Sequence, residues 1–227
     1  MAESIKDLRK ICQLTDCPEA TYPFYSLFSI YVTKFFIKTK VTPNQVTFFA
    51  SVLGLIGALL LLWQKTFFLI FSAAMILAWR LLDHADGEIA RYKKIFSKKG
   101  YFIDLASTVL IELVILAAVT FGAWFAFGKV YALYFGIAAI FGYAMHGLIA
   151  EKSKMISREK ADGKPSLFKR VYLFMRRVLL IEFFPEAAVV FSILGFADIF
   201  LLLFAFDYNL LWIGKVIYEF ARPESKS

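Results

Sequence analysis

The chain has 227 residues, 60% of them hydrophobic and 19% charged, with a formal net charge of +8. An ordinary soluble domain is closer to half apolar and richer in charge. The apolar residues also fall in runs such as Val46–Trp63, Leu105–Phe127 and Phe183–Phe206. Runs of about 20 match the thickness of a bilayer, whereas a soluble core helix rarely exceeds about 14. These features exclude a soluble globular domain and predict an all-α polytopic membrane protein.

Residues Met1–Glu19 alternate charge and polarity, without an apolar h-region after a basic start. The first span is therefore expected to act as its own insertion signal. Cys12 and Cys17 are the only cysteines. No Cys or His pair stands beside them to complete a metal site, so they read as reduced thiols. Tyr22–Lys40 follows, apolar but striped: Ser26, Ser29, Thr33 and Lys40 fall within about 60° of one another on a helix. Phe24, Phe28, Tyr31 and Phe35 occupy its other sides. That pattern predicts an amphipathic helix lying in the membrane interface. Thr42-Pro43-Asn44 then reads as a turn capping the first span.

Six spans are predicted: Val46–Trp63, Thr66–Ala90, Tyr101–Phe125, Val130–Ala150, Val178–Gly195 and Ile199–Tyr218. Gly195-Phe196-Ala197-Asp198 supplies the turn between the last two. The chain thus divides into a leader with its interfacial helix (1–42), a six-helix transmembrane domain (43–221) and a tail (222–227). All but two of the 26 Lys and Arg residues fall on one side of these spans. The exceptions are Lys65 and Lys129. The positive-inside rule then predicts cytoplasmic termini and a cytoplasmic face rich in basic residues. The net charge reads as topology and contact with anionic lipid, with no nucleic-acid partner. Arg158, Arg176 and Arg177 read in the same way, an acceptor phosphate being the alternative.

Acids gather where spans two and three meet. On a helical wheel with Asp83 at zero, Asp86, Gly87 and Ala90 lie at about −60°, +40° and −20°. One face therefore carries two carboxylates and two small residues. On span three, Gly100, Asp104 and Thr108 advance in steps of about 40°. Antiparallel packing would set Asp104 across from Asp83 and Asp86. Carboxylates crowded near a membrane interior repel one another and lose hydration. A hard divalent cation, Mg²⁺ or Mn²⁺, resolves that conflict with all-oxygen ligation. The alternative is pairing with Arg80, Arg91 and nearby lysines. Arg91 stands ready for a phosphate oxygen. His84 and His146 read as packing or interface residues.

The string Asp83-x2-Asp86-Gly87-x2-Ala90-Arg91-x8-Gly100-x3-Asp104 resembles the signature of the CDP-alcohol phosphotransferase (CDP-alcohol phosphatidyltransferase) family, matching seven of its eight positions. The six spans, the leading interfacial helix and Thr42-Pro43-Asn44 also resemble that family's layout. The resemblance implies Mg²⁺- or Mn²⁺-dependent transfer of a phospho-alcohol from a CDP-linked donor (CDP-diacylglycerol or a CDP-alcohol) to an acceptor hydroxyl. CMP is released, and the setting is phospholipid or related synthesis at the cytoplasmic leaflet. It assigns Asp83, Asp86 and Asp104 to metal, Gly87, Ala90 and Gly100 to the cytidine space, and Arg91 to the diphosphate. It also suggests a homodimer. The eighth position, where the family has an aspartate acting as base, is Thr108. A hydroxyl cannot be a base near neutral pH. Three readings follow: an impaired or inactive member that still binds nucleotide or lipid, another group in the base's role, or a deliberate substitution. Glu112, one turn beyond Thr108, is the candidate substitute, and pairing with a polar neighbour is its bland reading. A polyprenyl transferase would need a second Asp-rich motif and more spans. A transporter would show paired broken helices in an internal repeat.

Overall fold

The computed structural model describes residues 4–13, 23–156 and 183–221. Cys17, Arg158, Arg176, Arg177, Glu182, residues 178–181 and the tail 222–227 lie outside them. The described elements are α1 (Ile5–Cys12), α2 (Pro23–Phe36), α3 (Pro43–Leu60), α4 (Thr66–Lys93), α5 (Lys98–Phe127), α6 (Val130–Ile156), α7 (Phe184–Ile193) and α8 (Ala197–Ala221). Among the described residues five helical stretches are long and apolar enough to cross a bilayer: Pro43–Trp63, Thr66–Lys93, Lys98–Phe127, Val130–Ser153 and Ala197–Phe220. The chain is a multi-pass membrane protein. The predicted span Val178–Gly195 is described only from Phe183 onward, and its helix α7 is a shorter apolar segment of ten residues.

Local chemistry sets the element ends. At the start of α3, the Gln45 amide donates to Thr42 Oγ1 at 3.4 Å and the Thr42 amide donates to Gln45 Oε1 at 2.9 Å. This reciprocal cap sits around Pro43, whose missing N–H would have had no helical partner. Between α7 and α8 the Phe196 amide donates to the Phe191 carbonyl at 2.7 Å, with Gly195 at φ 78°. That conformation favours glycine and ends the helix abruptly. The predicted turn is present. α4 ends in the same way: the Ile95 amide donates to the Ala90 carbonyl at 3.0 Å while Lys94 takes φ 54°.

The chain forms two compact units. Unit one comprises residues 1–60 and 70–114, and unit two comprises residues 61–69 and 115–227. In unit one, Trp79, Ile76 and Ile111 are fully buried. A Cβ on Gly54 would lie 2.8 Å from Trp79 Cγ and 2.9 Å from Ile111 Cδ1, so the bare glycine lets α3 approach both helices. α1, within the polar leader, packs on α2 and buries Leu8 and Cys12 against Ile30. In unit two, α6 and α7 pack on α8. An aromatic ladder fills that core, with ring centroids 4.5 Å apart for Phe200–Phe204 and 5.4 Å for Tyr143–Tyr208. Lys129 donates to Asp198 at 2.8 Å and tethers the loop before α6 to the start of α8.

α2 meets protein along its polar stripe. Its Phe24, Phe28, Tyr31 and Phe35 are exposed, as an interfacial helix requires, but Ser29 and Thr33 of its polar stripe are fully buried. They face protein.

Candidate functional site

The acids sit where α4 nears its end and α5 begins, all within unit one. α4 runs unbroken through Asp83–Arg91 and α5 through Gly100–Thr108. The helical period therefore holds each residue at its expected azimuth. Asp83 and Asp104 are in hydrogen-bonding contact across the two helices, and Arg80 and Glu112 are near enough to act on the charge of Asp83. Thr108 donates to Asp83 Oδ1 at a long 3.4 Å. Asp86, buried, accepts from Thr47 Oγ1 of α3 at 2.5 Å. Among the described residues no three His, Cys, Asp or Glu side chains are gathered closely enough to hold one ion. Asp83 and Asp104 come together, while Asp86 is held by Thr47.

Two carboxyl groups in contact need a proton or a cation between them, because bare carboxylates repel. An all-oxygen set of this kind fits a hard divalent cation. Arg80, only 6% exposed, spreads its guanidinium over the rings of Tyr25 at 5.2 Å and Trp79 at 5.8 Å. His84 packs beside Tyr25 at 5.3 Å, with Nδ1 4.0 Å from Asp83. His146 packs on Tyr208 at 5.9 Å. Both histidines sit as packing residues.

Arg91 donates from Nε to the Cys12 carbonyl at 2.5 Å. Both its terminal nitrogens lie 3.5 Å from where a Cβ on Gly87 would stand. A Cβ at residue 87 would sit in ordinary van der Waals contact with the guanidinium. Gly100 has a neighbour of its own: Asn44 Oδ1 would meet its Cβ at 2.7 Å. The space beside Gly100 thus admits the cap of α3.

Three residues at this site escaped the sequence. Thr47 lies in an apolar helix with no pattern marking it. Glu88 is buried and takes hydrogen bonds from Ser29 and Thr33 at 2.7 and 2.6 Å, so the stripe on α2 was its only advance signal. Lys93 donates to the carbonyls of Thr39 at 2.9 Å and Val41 at 2.7 Å, holding the link between α2 and α3.

The fold is similar to two crystal structures of Mycobacterium tuberculosis phosphatidylinositol phosphate synthase. The apo form gives a TM-score of 0.57 at 16% identity, covering 84% of this chain and 95% of that one. The form with CDP-DAG bound gives 0.56 at 17% identity, covering 87% and 96%. At such identity the likeness concerns the fold. The bifunctional IPC transferase and DIPP synthase of Archaeoglobus fulgidus is 32% identical over 129 residues, which are 56% of this chain and 24% of that protein. The chain thus matches about a quarter of that relative's length. Residues 40–197 match the family model for CDP-alcohol phosphatidyltransferases, and that stretch holds the whole acidic constellation of α4 and α5. The chain belongs to the CDP-alcohol phosphatidyltransferase family.

Proposed function

We propose that this chain transfers a phospho-alcohol group from a CDP-linked lipid or alcohol to an acceptor hydroxyl, with CMP as the leaving product. The observation that carries the reading is the contact between Asp83 and Asp104, beside Gly87 and the Arg91 guanidinium. Asp83 and Asp104 would hold Mg²⁺ or Mn²⁺, with Asp86 drawn in from Thr47 when the ion binds. When bound, the cation neutralises the diphosphate and the charge that develops during phosphoryl transfer. The chain's own residues do the rest. Thr47 orients Asp86, the bare Gly87 admits the nucleotide, and Arg91 offers a planar fork to phosphate oxygens.

The test is CMP release in lipid nanodiscs from CDP-diacylglycerol and a panel of CDP-alcohols, with Mn²⁺ and mixed hydroxyl acceptors. Wild type and Thr108→Asp are assayed together. Release from one donor class by wild type supports the reading. Silence from both across the panel overturns it. A second reading is favoured by Thr108, which stands 3.4 Å from Asp83 at the family's last acidic position. In that reading the chain binds CDP-linked ligands without turnover. CDP binding by wild type, with CMP released only by Thr108→Asp, would identify it.

The basic residues support a cytoplasmic position for both termini and for the acidic site. With Cys12 and Cys17 replaced by Ala, an impermeant thiol reagent added to intact cells should label Lys65→Cys and Lys129→Cys. Ser227→Cys should stay dark until the membrane is opened. Labelling of Ser227→Cys from outside would reverse the orientation.

A further inference from the structure

Two sets of hydrogen bonds join the N-terminal helices to the motif stretch of α4. Glu88, between Gly87 and Ala90, is 2% exposed. Its Oε1 accepts from Gln13 Nε2 and Ser29 Oγ, each at 2.7 Å, and its Oε2 accepts from Thr33 Oγ1 at 2.6 Å. Gln13 Nε2 also donates to the Ser26 carbonyl at 2.6 Å. A buried carboxylate is tolerated only with its lone pairs filled, and here three side chains from the N-terminal segment fill them. One residue before Gln13, the Cys12 carbonyl takes the Nε proton of Arg91 at 2.5 Å. The Cys12 side chain is itself buried with Leu8 against Ile30 of α2.

A guanidinium is a rigid fork, so fixing Nε sets the plane in which the terminal nitrogens lie. Those nitrogens lie over Gly87. We propose that the leader helix is a positioning clamp for Arg91. Glu88 fixes Gln13, Gln13 fixes the adjoining Cys12 carbonyl, and that carbonyl aims the guanidinium at a diphosphate over Gly87. The proposal rests on the diphosphate role proposed above for Arg91. Gln13, Ser29, Thr33 and Glu88 are positioning residues and touch no substrate. The clamp depends on geometry more than on the charge of Glu88. An amide at residue 88 keeps one oxygen for Gln13 and Ser29, and its NH₂ can donate to the Thr33 hydroxyl.

The test is calorimetric titration of the full chain in detergent with CDP in the presence of Mn²⁺, alongside thermal unfolding. Gln13→Ala should weaken CDP binding about tenfold, the scale of one hydrogen bond to a charged group, with little change in unfolding temperature. Glu88→Ala should weaken CDP binding to a similar degree, and Glu88→Gln should restore near-normal affinity. In an Arg91→Ala background, Gln13→Ala should cost nothing further, because residues acting through one another are not additive. Should Glu88→Ala fail to fold, Gln13→Ala in the two backgrounds decides alone. Unchanged affinity in Gln13→Ala, or equal losses with and without Arg91, overturns the clamp and leaves the proposed function standing. Absence of CDP binding by wild type overturns both.

Discussion

Thr108→Asp should raise the rate of CMP release by about 10²–10⁴-fold, the usual worth of a positioned general base. The physical ground is local. The Thr108 hydroxyl lies 3.4 Å from Asp83 Oδ1, so an Asp at that position would enter the same acidic group. Donor affinity should move much less, because Gly87, Arg91 and the acids proposed to bind metal are untouched. A fourth carboxylate beside Asp83, Asp104 and Glu112 should also lower thermal stability without divalent metal and recover it with metal. If Glu112 has taken the base's role, wild type should already turn over rapidly and Glu112→Gln should silence it. Rapid wild-type turnover indifferent to both substitutions would sink this assignment of roles on α5.

The second large effect concerns metal. Mn²⁺ should raise the unfolding temperature of wild type, since a ligand that binds only the folded chain at 100 times its Kd contributes about 2.7 kcal/mol. Asp86→Asn should shrink that gain while keeping an oxygen for the Thr47 hydroxyl. The triple variant Asp83→Asn, Asp86→Asn, Asp104→Asn should lose it altogether, and without Mn²⁺ it should be no less stable than wild type, because the repulsion has gone. An equal Mn²⁺ shift in wild type and the triple variant would show that the ion binds elsewhere.

Much of this site was legible because helical spacing is rigid. Once Asp83–Arg91 and Gly100–Thr108 form unbroken helices, the period fixes which side chains share a face, and the contact between Asp83 and Asp104 follows from antiparallel packing. The ends of elements were equally local. Thr42, Pro43 and Gln45 cap α3 through atoms three residues apart, and Gly195 turns the chain with a conformation that only its missing Cβ makes easy.

What spacing could not supply was the identity of the partner across each face. The stripe of Ser29 and Thr33 predicted an amphipathic helix in the membrane interface and named no partner for its polar face. The structure turns both hydroxyls onto buried Glu88 and leaves Phe24, Phe28, Tyr31 and Phe35 exposed. Against lipid the usual sense of inside and outside inverts. Apolar side chains are at no disadvantage outside, whereas a buried acid needs every donor within reach. The same holds for Thr47 on Asp86 and for the Cys12 carbonyl on Arg91, which joins residues 79 positions apart. The sequence by itself determined the helices, their ends and the acidic face. Only the tertiary structure decided which neutral donors hold those acids and what aims the arginine, because hydrogen-bond partners distant in sequence leave no periodic trace.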